Sequence, residues 1–189
     1  MTEIRFTWDP EKAIQAAAYL VQRLERVDKV KLTKLLYLAD REHFLQHGAP
    51  ITGDEQYAMP KGPVPSKTLH LLDGDVVESG KLFQHLHQDD FTWTLRLDPG
   101  TGALAASEIA VLDAVLREHG QKDKWLLVNE LHHSPEYVEV YREGTSTRIP
   151  YETILQHYET GDGSRFRRGR PVVSSETMAA MRRPFPGWT

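Results

Sequence analysis

Three residues with metal-ligating side chains fall on one predicted helix. Asp40, His43 and His47 are spaced at i, i+3 and i+7, so an α-helix would carry them on a single face. Two neutral imidazoles and a carboxylate suit zinc or iron, which makes a metal-dependent hydrolase one interpretation of the sequence. Ligands from a single helix, however, leave the coordination sphere unfinished. We therefore predict no metal and no cofactor, and keep the hydrolase as the enzymatic alternative.

Other enzymatic signatures do not occur in the sequence. There is no cysteine, so the chain has no disulfide, no thiolate nucleophile and no thiolate metal site. Ser66 follows G-P-V-P and lacks the G-x-S-x-G context of a nucleophile elbow, so we predict that it caps the next helix. His132 and His133 are adjacent, and on a helix they would point about 100° apart rather than converge. We predict that the chain is not an enzyme.

The composition fits one domain with a sizeable core. The chain has 189 residues, of which 40% are hydrophobic and 26% are charged. A net charge of −4 argues against a dedicated nucleic-acid binder, because such proteins are usually basic. The N-terminus shows no apolar signal segment, and no apolar run approaches the roughly 20 residues of a membrane helix. We expect a cytoplasmic protein with no membrane partner.

Capping residues and apolar spacing predict the elements that would position these side chains. Asp9, which precedes a proline, predicts the start of a helix that extends to about Val27. Asp28 predicts the cap of a second helix, which ends near Gly48 and runs antiparallel to the first. Residues 53–65 are rich in glycine and proline and are predicted as a loop.

The hydrophobic period changes to two between residues 81 and 97, which predicts a β-hairpin. Trp93 and its apolar neighbours alternate with polar residues, as in a half-buried strand, and an Asp-Asp pair stands at the turn. Several further helices follow, each marked by helical spacing of apolar residues. The sequence therefore predicts an α+β fold: a mainly α-helical single domain of about six helices with a small antiparallel β-hairpin or sheet.

Three short motifs occur in order between residues 31 and 66. They read K-L-T-K-L-L-Y-L-A-D-R at 31–41, P-I-T-G-D at 50–54 and A-M-P-K-G-P-V-P-S at 58–66. Together they resemble the Panacea domain, the SocA-like antitoxin family, and weaker similarity continues to about Tyr158. The motif residues that we expect to fix the local structure are Asp40, Arg41, Gly53, Asp54, Met59, Gly62, Pro63, Pro65 and Ser66.

The resemblance implies the antitoxin of a type II-like toxin–antitoxin module. Such a protein would neutralise a protein toxin, encoded by the adjacent gene, through direct protein–protein contact. An adaptor that delivers the toxin for degradation, with a protease or chaperone as a further partner, is the alternative within this class. A homodimer stays open, and a DNA-binding autoregulator is disfavoured by the acidic charge.

The G-P-V-P segment needs one defined backbone, because glycine allows angles that other residues avoid and proline fixes φ. We predict that Asp40, Arg41 and Asp54 form one partly buried ion-pair network that holds this segment in place. An alternative for Asp54 is an Asx-turn, in which its carboxylate accepts from a backbone donor two residues on. We predict that the G-P-V-P segment serves mainly as scaffold, and a role as a partner-binding surface stays open.

Charge is distributed unevenly along the chain. From Arg165 onward there are six arginines and one acidic residue, a net charge of +5, whereas residues 1–164 carry −9. We assign the domain to residues 1–160 and a basic tail to residues 161–189, which could dock on an acidic partner or on the domain itself. The residues predicted to bind the partner are Thr92, Thr94 and Arg96 on the hairpin and Arg182, Arg183, Phe185 and Trp188 in the tail.

Overall fold

The computed structural model describes residues 3–159, which form eight helices and two three-stranded antiparallel sheets. The mixed α+β class is confirmed, whereas the predicted six helices and single hairpin are too few. Within this part of the chain, no helix combines the length and apolar character that crossing a bilayer requires. The helices are α1 (Pro10–Leu24), α2 (Lys29–His47), α3 (Ser66–Asp73), α4 (Ser79–His85), α5 (Ala106–His119), α6 (Lys124–His132), α7 (Pro135–Val140) and α8 (Tyr151–Glu159). The strands are β1 (Arg26–Asp28), β2 (Gln56–Met59), β3 (Gly62–Pro65), β4 (Leu86–Asp89), β5 (Thr92–Leu95) and β6 (Thr147–Ile149).

Helix α2 lies at the centre of the fold and packs against α1, α5, α6 and β3. Every residue from Leu32 to Arg41 is buried. The predicted ends are confirmed: Asp28 accepts a hydrogen bond from the N–H of Val30 at 2.8 Å, and Gly48 ends the helix in the left-handed conformation. Because the helix is buried on all sides, any charged side chain within it needs a partner from another element.

The predicted hairpin is present and gains a third strand. β4 and β5 pair through a turn at Asp90, and Trp93 on β5 is fully buried. β1 pairs with the other edge of β5 and places Val27 opposite Trp93. Helix α1 therefore ends at Leu24, earlier than predicted, because the chain leaves it to form a strand. The residues before β4, predicted as a strand, form helix α4, which is too short for its period to be distinctive.

Residues 53–65, predicted as a loop, contain most of the second sheet. Its strand order is β3-β2-β6, so β2 is the central strand. Pro63 and Pro65 lie on the edge strand β3, where a missing N–H is tolerated because one side of the strand has no ladder partner. Local turn signals do not separate such an edge strand from a loop, which is why the prediction is wrong here.

Gly53 lies where the turn after α2 passes against the N-terminal segment. Its φ of +70° is in the left-handed region, and a Cβ at this position would lie 2.1 Å from the carbonyl oxygen of Thr7. The N–H of Asp9 donates to the carbonyl oxygen of Thr52 at 2.8 Å, which ties the two segments together. Glycine is therefore required by both the backbone angle and the space.

Gly53→Ala should lower the free energy of unfolding by about 2–5 kcal/mol, because the added methyl group meets main-chain atoms that cannot rotate away. Gly80 in α4 is the matched control, since a Cβ there would meet no atom within 4 Å. Gly80→Ala should be neutral or stabilise the protein by up to about 1 kcal/mol. Urea unfolding measures both values, and equal effects of the two substitutions would argue against the clash at Gly53.

Candidate functional site

The carboxylate of Asp40 ties α2 to the turn that follows it. Asp40 is fully buried and accepts from the N–H and the hydroxyl of Thr52, at 2.8 and 2.5 Å, and from the amide of Gln56 at 3.1 Å. Burial outweighs these hydrogen bonds and raises the pKa of Asp40 to about 7. Because Gln56 begins β2, this one side chain positions both the turn and the start of the second sheet.

Asp54 caps helix α3 from a remote turn. Its carboxylate accepts from the N–H groups of Glu55, Lys67 and Thr68 at 2.7–3.0 Å, and from the Thr68 hydroxyl at 2.8 Å. The first N–H groups of a helix have no partner within it, so this carboxylate supplies what α3 needs. The alternative of an Asx-turn at Asp54 is wrong, because no N–H from Gln56, two residues on, is among these donors. The prediction that Ser66 caps α3 is also wrong, since Ser66 is the first residue of the helix and makes no capping bond.

Arg41 turns away from both aspartates, so the predicted single network of Asp40, Arg41 and Asp54 is wrong. Neighbouring residues on a helix point about 100° apart, and Arg41 therefore faces α7. Its guanidinium lies 2.9 Å from a carboxylate oxygen of Glu136, to which the hydroxyl of Tyr37 also donates at 2.7 Å. Arg41 and Glu136 are both buried, and Arg41 also pairs with Glu42 at 3.1 Å. Removal of Arg41 would therefore leave the buried Glu136 carboxylate without this cation.

The hairpin of β2 and the G-P-V-P strand β3 is anchored by side chains from two helices. The ammonium group of Lys34 donates to the carbonyl oxygen of Pro63 at 2.9 Å, and the hydroxyl of Tyr137 donates to that of Met59 at 2.9 Å. Gly62 begins the strand at a φ of +91°, close to the Lys34 side chain. Lys34 is 1% exposed, and burial, reinforced by a neighbouring lysine, lowers its pKa to about 7. One anchor of the strand is therefore a titratable group.

An open cleft of about 560 Å³ lies beside this strand, between the start of α2, the β2–β3 turn, α3 and the start of α6. We call it the lysine cleft. Two large aromatic side chains line it and remain accessible: Phe91 is 73% exposed and Trp125 is 54% exposed. Exposed aromatic rings beside a concave apolar surface are typical of a partner-binding site. The charged residues of the lining are Asp28, Lys29, Lys34, Lys61, Asp73 and Lys124.

Asp40, His43 and His47 do not form the metal site that their spacing on α2 allows. The Asp40 carboxylate is engaged in the turn, while His43 Nδ1 lies 2.6 Å from the carbonyl oxygen of Ala49 and Nε2 lies 3.1 Å from the Ser107 hydroxyl. Burial lowers the pKa of His43, which keeps its ring neutral. His47 packs against that ring, 4.6 Å between centroids. Within residues 3–159, no group of three or more His, Asp or Glu side chains could hold a metal ion.

The residues predicted to bind a partner are not brought together at the cleft. Thr92 and Thr94 lie half-buried on the central strand β5, whereas Arg96 is exposed just beyond its end. Their role in binding stays a prediction. The other predicted residues, Arg182, Arg183, Phe185 and Trp188, lie outside the described residues, as does the tail at 161–189 as a whole.

The side chains that sequence reasoning missed are those defined by contacts between distant segments. Lys34 stands among leucines in the second helix, a pattern that could have indicated a buried charge. Trp125 lies in the first turn of α6, after its cap Asp123, and an aromatic residue in such a turn could have indicated an exposed ring. Glu136 carries no local signal, because its partner Arg41 is 95 residues away.

Asp54→Ala should lower the free energy of unfolding by about 3–5 kcal/mol, because several buried N–H groups lose their acceptor at once. Asp54→Asn, which keeps one acceptor oxygen, should cost less. Asp75, whose side chain is 61% exposed, is the control, and Asp75→Ala should change stability by no more than about 0.5 kcal/mol. Denaturant unfolding gives all three values, and a loss below about 1 kcal/mol for Asp54→Ala would disprove the capping role.

The charge of Lys34 should make stability depend on pH. Its pKa is about 7 in the folded chain and near 10.5 when unfolded, so the unfolded chain binds more protons between these values. The wild type should therefore gain stability relative to Lys34→Met as pH rises above 7, by up to about 1.4 kcal/mol per pH unit. Lys67→Met, at an exposed position outside the cleft lining, is the control. A difference between wild type and Lys34→Met that stays constant from pH 7 to 9 would refute the assignment.

Comparison with known proteins agrees with the motif geometry. A family model described as the antitoxin SocA-like, Panacea domain matches residues 32–137, which is more than half of the chain. The matched range contains Asp40, which holds the turn after α2, Asp54, which caps α3, and the G-P-V-P strand. No curated protein and no solved structure matches the chain. On the strength of the family match, this chain belongs to the SocA-like antitoxin family and carries its Panacea domain.

Proposed function

We propose that this chain is the antitoxin of a toxin–antitoxin pair and neutralises a protein toxin by binding to it. The observation that carries the proposal is the family match over residues 32–137. That range holds all three motifs almost completely, together with most of the lysine cleft. The chain acts through a protein surface in this proposal, and the reaction that it opposes belongs to the toxin.

The motif residues support a binding role because their charged groups are used inside the fold. Asp40, Arg41 and Asp54 are buried, and each is bonded to another segment of the chain. These groups hold the backbone and do not face a substrate. The surface that this scaffold presents to solvent is the lysine cleft, with the exposed rings of Phe91 and Trp125. A surface held rigid in advance loses little entropy on binding, which favours a tight complex.

Sequestration is the mode that we propose. In sequestration the toxin persists in an inactive complex of fixed stoichiometry, whereas an adaptor would lower the amount of toxin by handing it to a protease. We also propose that residues 1–160 act as the domain and residues 161–189 as a separate basic arm, in the cytoplasm. Thr92, Thr94 and Arg96, with the arm, would then add contacts around the main interface.

Expression of each neighbouring gene, alone and together with this chain, tests the proposal. We expect one neighbour to arrest growth by itself and co-expression to restore growth to the level of an empty vector. The Asp75→Ala variant should rescue as well as the wild type, since it changes only an exposed side chain.

The amount of an epitope-tagged toxin separates the two modes. Unchanged toxin that copurifies with the chain supports sequestration, and a protease-dependent fall in toxin supports the adaptor. A chain that restores growth against neither neighbour and copurifies with neither product would overturn the proposed function.

A further inference from the structure

The lysine cleft has an excess of positive charge on an acidic domain. Its lining contains two ion pairs, Lys29–Asp73 and Lys124–Asp28. The other two lysines, Lys34 and Lys61, have no carboxylate partner among residues 3–159. Residues 1–164 together carry a net charge of −9, so the cleft is opposite in sign to the domain around it. A negatively charged occupant therefore suits this surface better than a basic one.

Lys34 is the group that would gain most from such an occupant. It is 1% exposed, and its ammonium group has three N–H donors, of which the carbonyl oxygen of Pro63 accepts one. Burial and the nearby Lys61 both disfavour its charge, and no carboxylate offsets them. A carboxylate placed in the cleft would supply that missing partner in a site of low solvent access, where ion pairs are stronger than in water.

The apolar part of the cleft sets a second requirement. Phe91 and Trp125 stand on different elements, the β4–β5 turn and the start of α6, and both rings are exposed. The ammonium group of Lys124 lies 5.4 Å from the Trp125 ring centroid, which helps to fix the ring. Fixed aromatic rings beside a pocket are the positions at which interfaces gain most of their binding energy.

We propose that the lysine cleft binds an acidic, apolar segment of the toxin, with a carboxylate of that segment paired to Lys34 and its apolar side chains packed against Phe91 and Trp125. This inference rests on the proposed function and names the surface that performs it. Charge complementarity selects this occupant over the chain's own residues from Arg165 onward, whose net charge of +5 would be repelled by the same lysines.

Binding of the purified toxin to full-length variants, measured by calorimetry, tests the inference. Trp125→Ala and Lys34→Met should each weaken binding by about 10-fold or more, because the first removes an aromatic anchor and the second removes the charge partner. The controls are Val77→Ala and Val138→Ala, which truncate apolar side chains that are 96% and 60% exposed and lie outside the cleft lining. Both controls should bind within about 2-fold of the wild type. Thermal unfolding of each variant verifies that it is folded.

Four other results would overturn the inference, and each points to a different explanation. If wild type and cleft variants bind the toxin equally well, the cleft is not the interface, while the proposed function stands. If the cleft substitutions leave toxin affinity unchanged but alter the sedimentation of the chain alone, a second copy is the occupant. If they instead accelerate proteolytic removal of residues 161–189, the tail is the occupant. If the wild type binds no toxin, the proposed function fails and this inference fails with it.

Discussion

Helix α2 is buried on every side from Leu32 to Arg41, and this constraint organises the rest of the structure. A charged side chain in such a helix is strongly destabilising unless another element supplies its partner. Asp40 finds its partner in the turn that follows, Arg41 in α7 and Lys34 in strand β3. Three segments that are far apart in the sequence are thereby fixed around one helix, each through a different charged group.

The motif residues around α2 build the scaffold, and the lysine cleft beside them is the surface that a partner can reach. Gly53 lets the turn after α2 lie against the N-terminal segment, and Asp54 at its end caps α3. Lys34 holds strand β3, which leads into α3, through the carbonyl oxygen of Pro63. The motif residues therefore form a rigid wall of the lysine cleft. The charged groups of Asp40, Arg41 and Asp54 all bond within the fold. What remains for a partner is the open side of the cleft, with its exposed aromatic rings and uncompensated lysines.

Features with local causes could be predicted from the sequence. Asp28 is a helix cap because its carboxylate meets an N–H two residues on, and Trp93 marks a strand because alternation reports burial on one face. Contacts between distant segments leave no such trace. Nothing near Arg41 indicates that it pairs with Glu136 rather than with Asp54. The sequence therefore identifies Arg41 as a motif residue but does not reveal its partner. The second sheet escapes prediction for two reasons. The turn signals of residues 53–65 do not separate the edge strand β3 from a loop, and β6 joins β2 from the far end of the domain.

Hydrogen–deuterium exchange of the chain, alone and bound to its toxin, tests most directly whether the molecule works by binding a toxin on a surface built around α2. We predict slower exchange on binding in residues 59–64 and 124–126, which border the cleft. Exchange in residues 35–41 of α2 should stay unchanged, because this part of the helix is already buried and does not line the cleft. Protection confined to other surfaces, or faster exchange in α2 on binding, would contradict this view of the molecule.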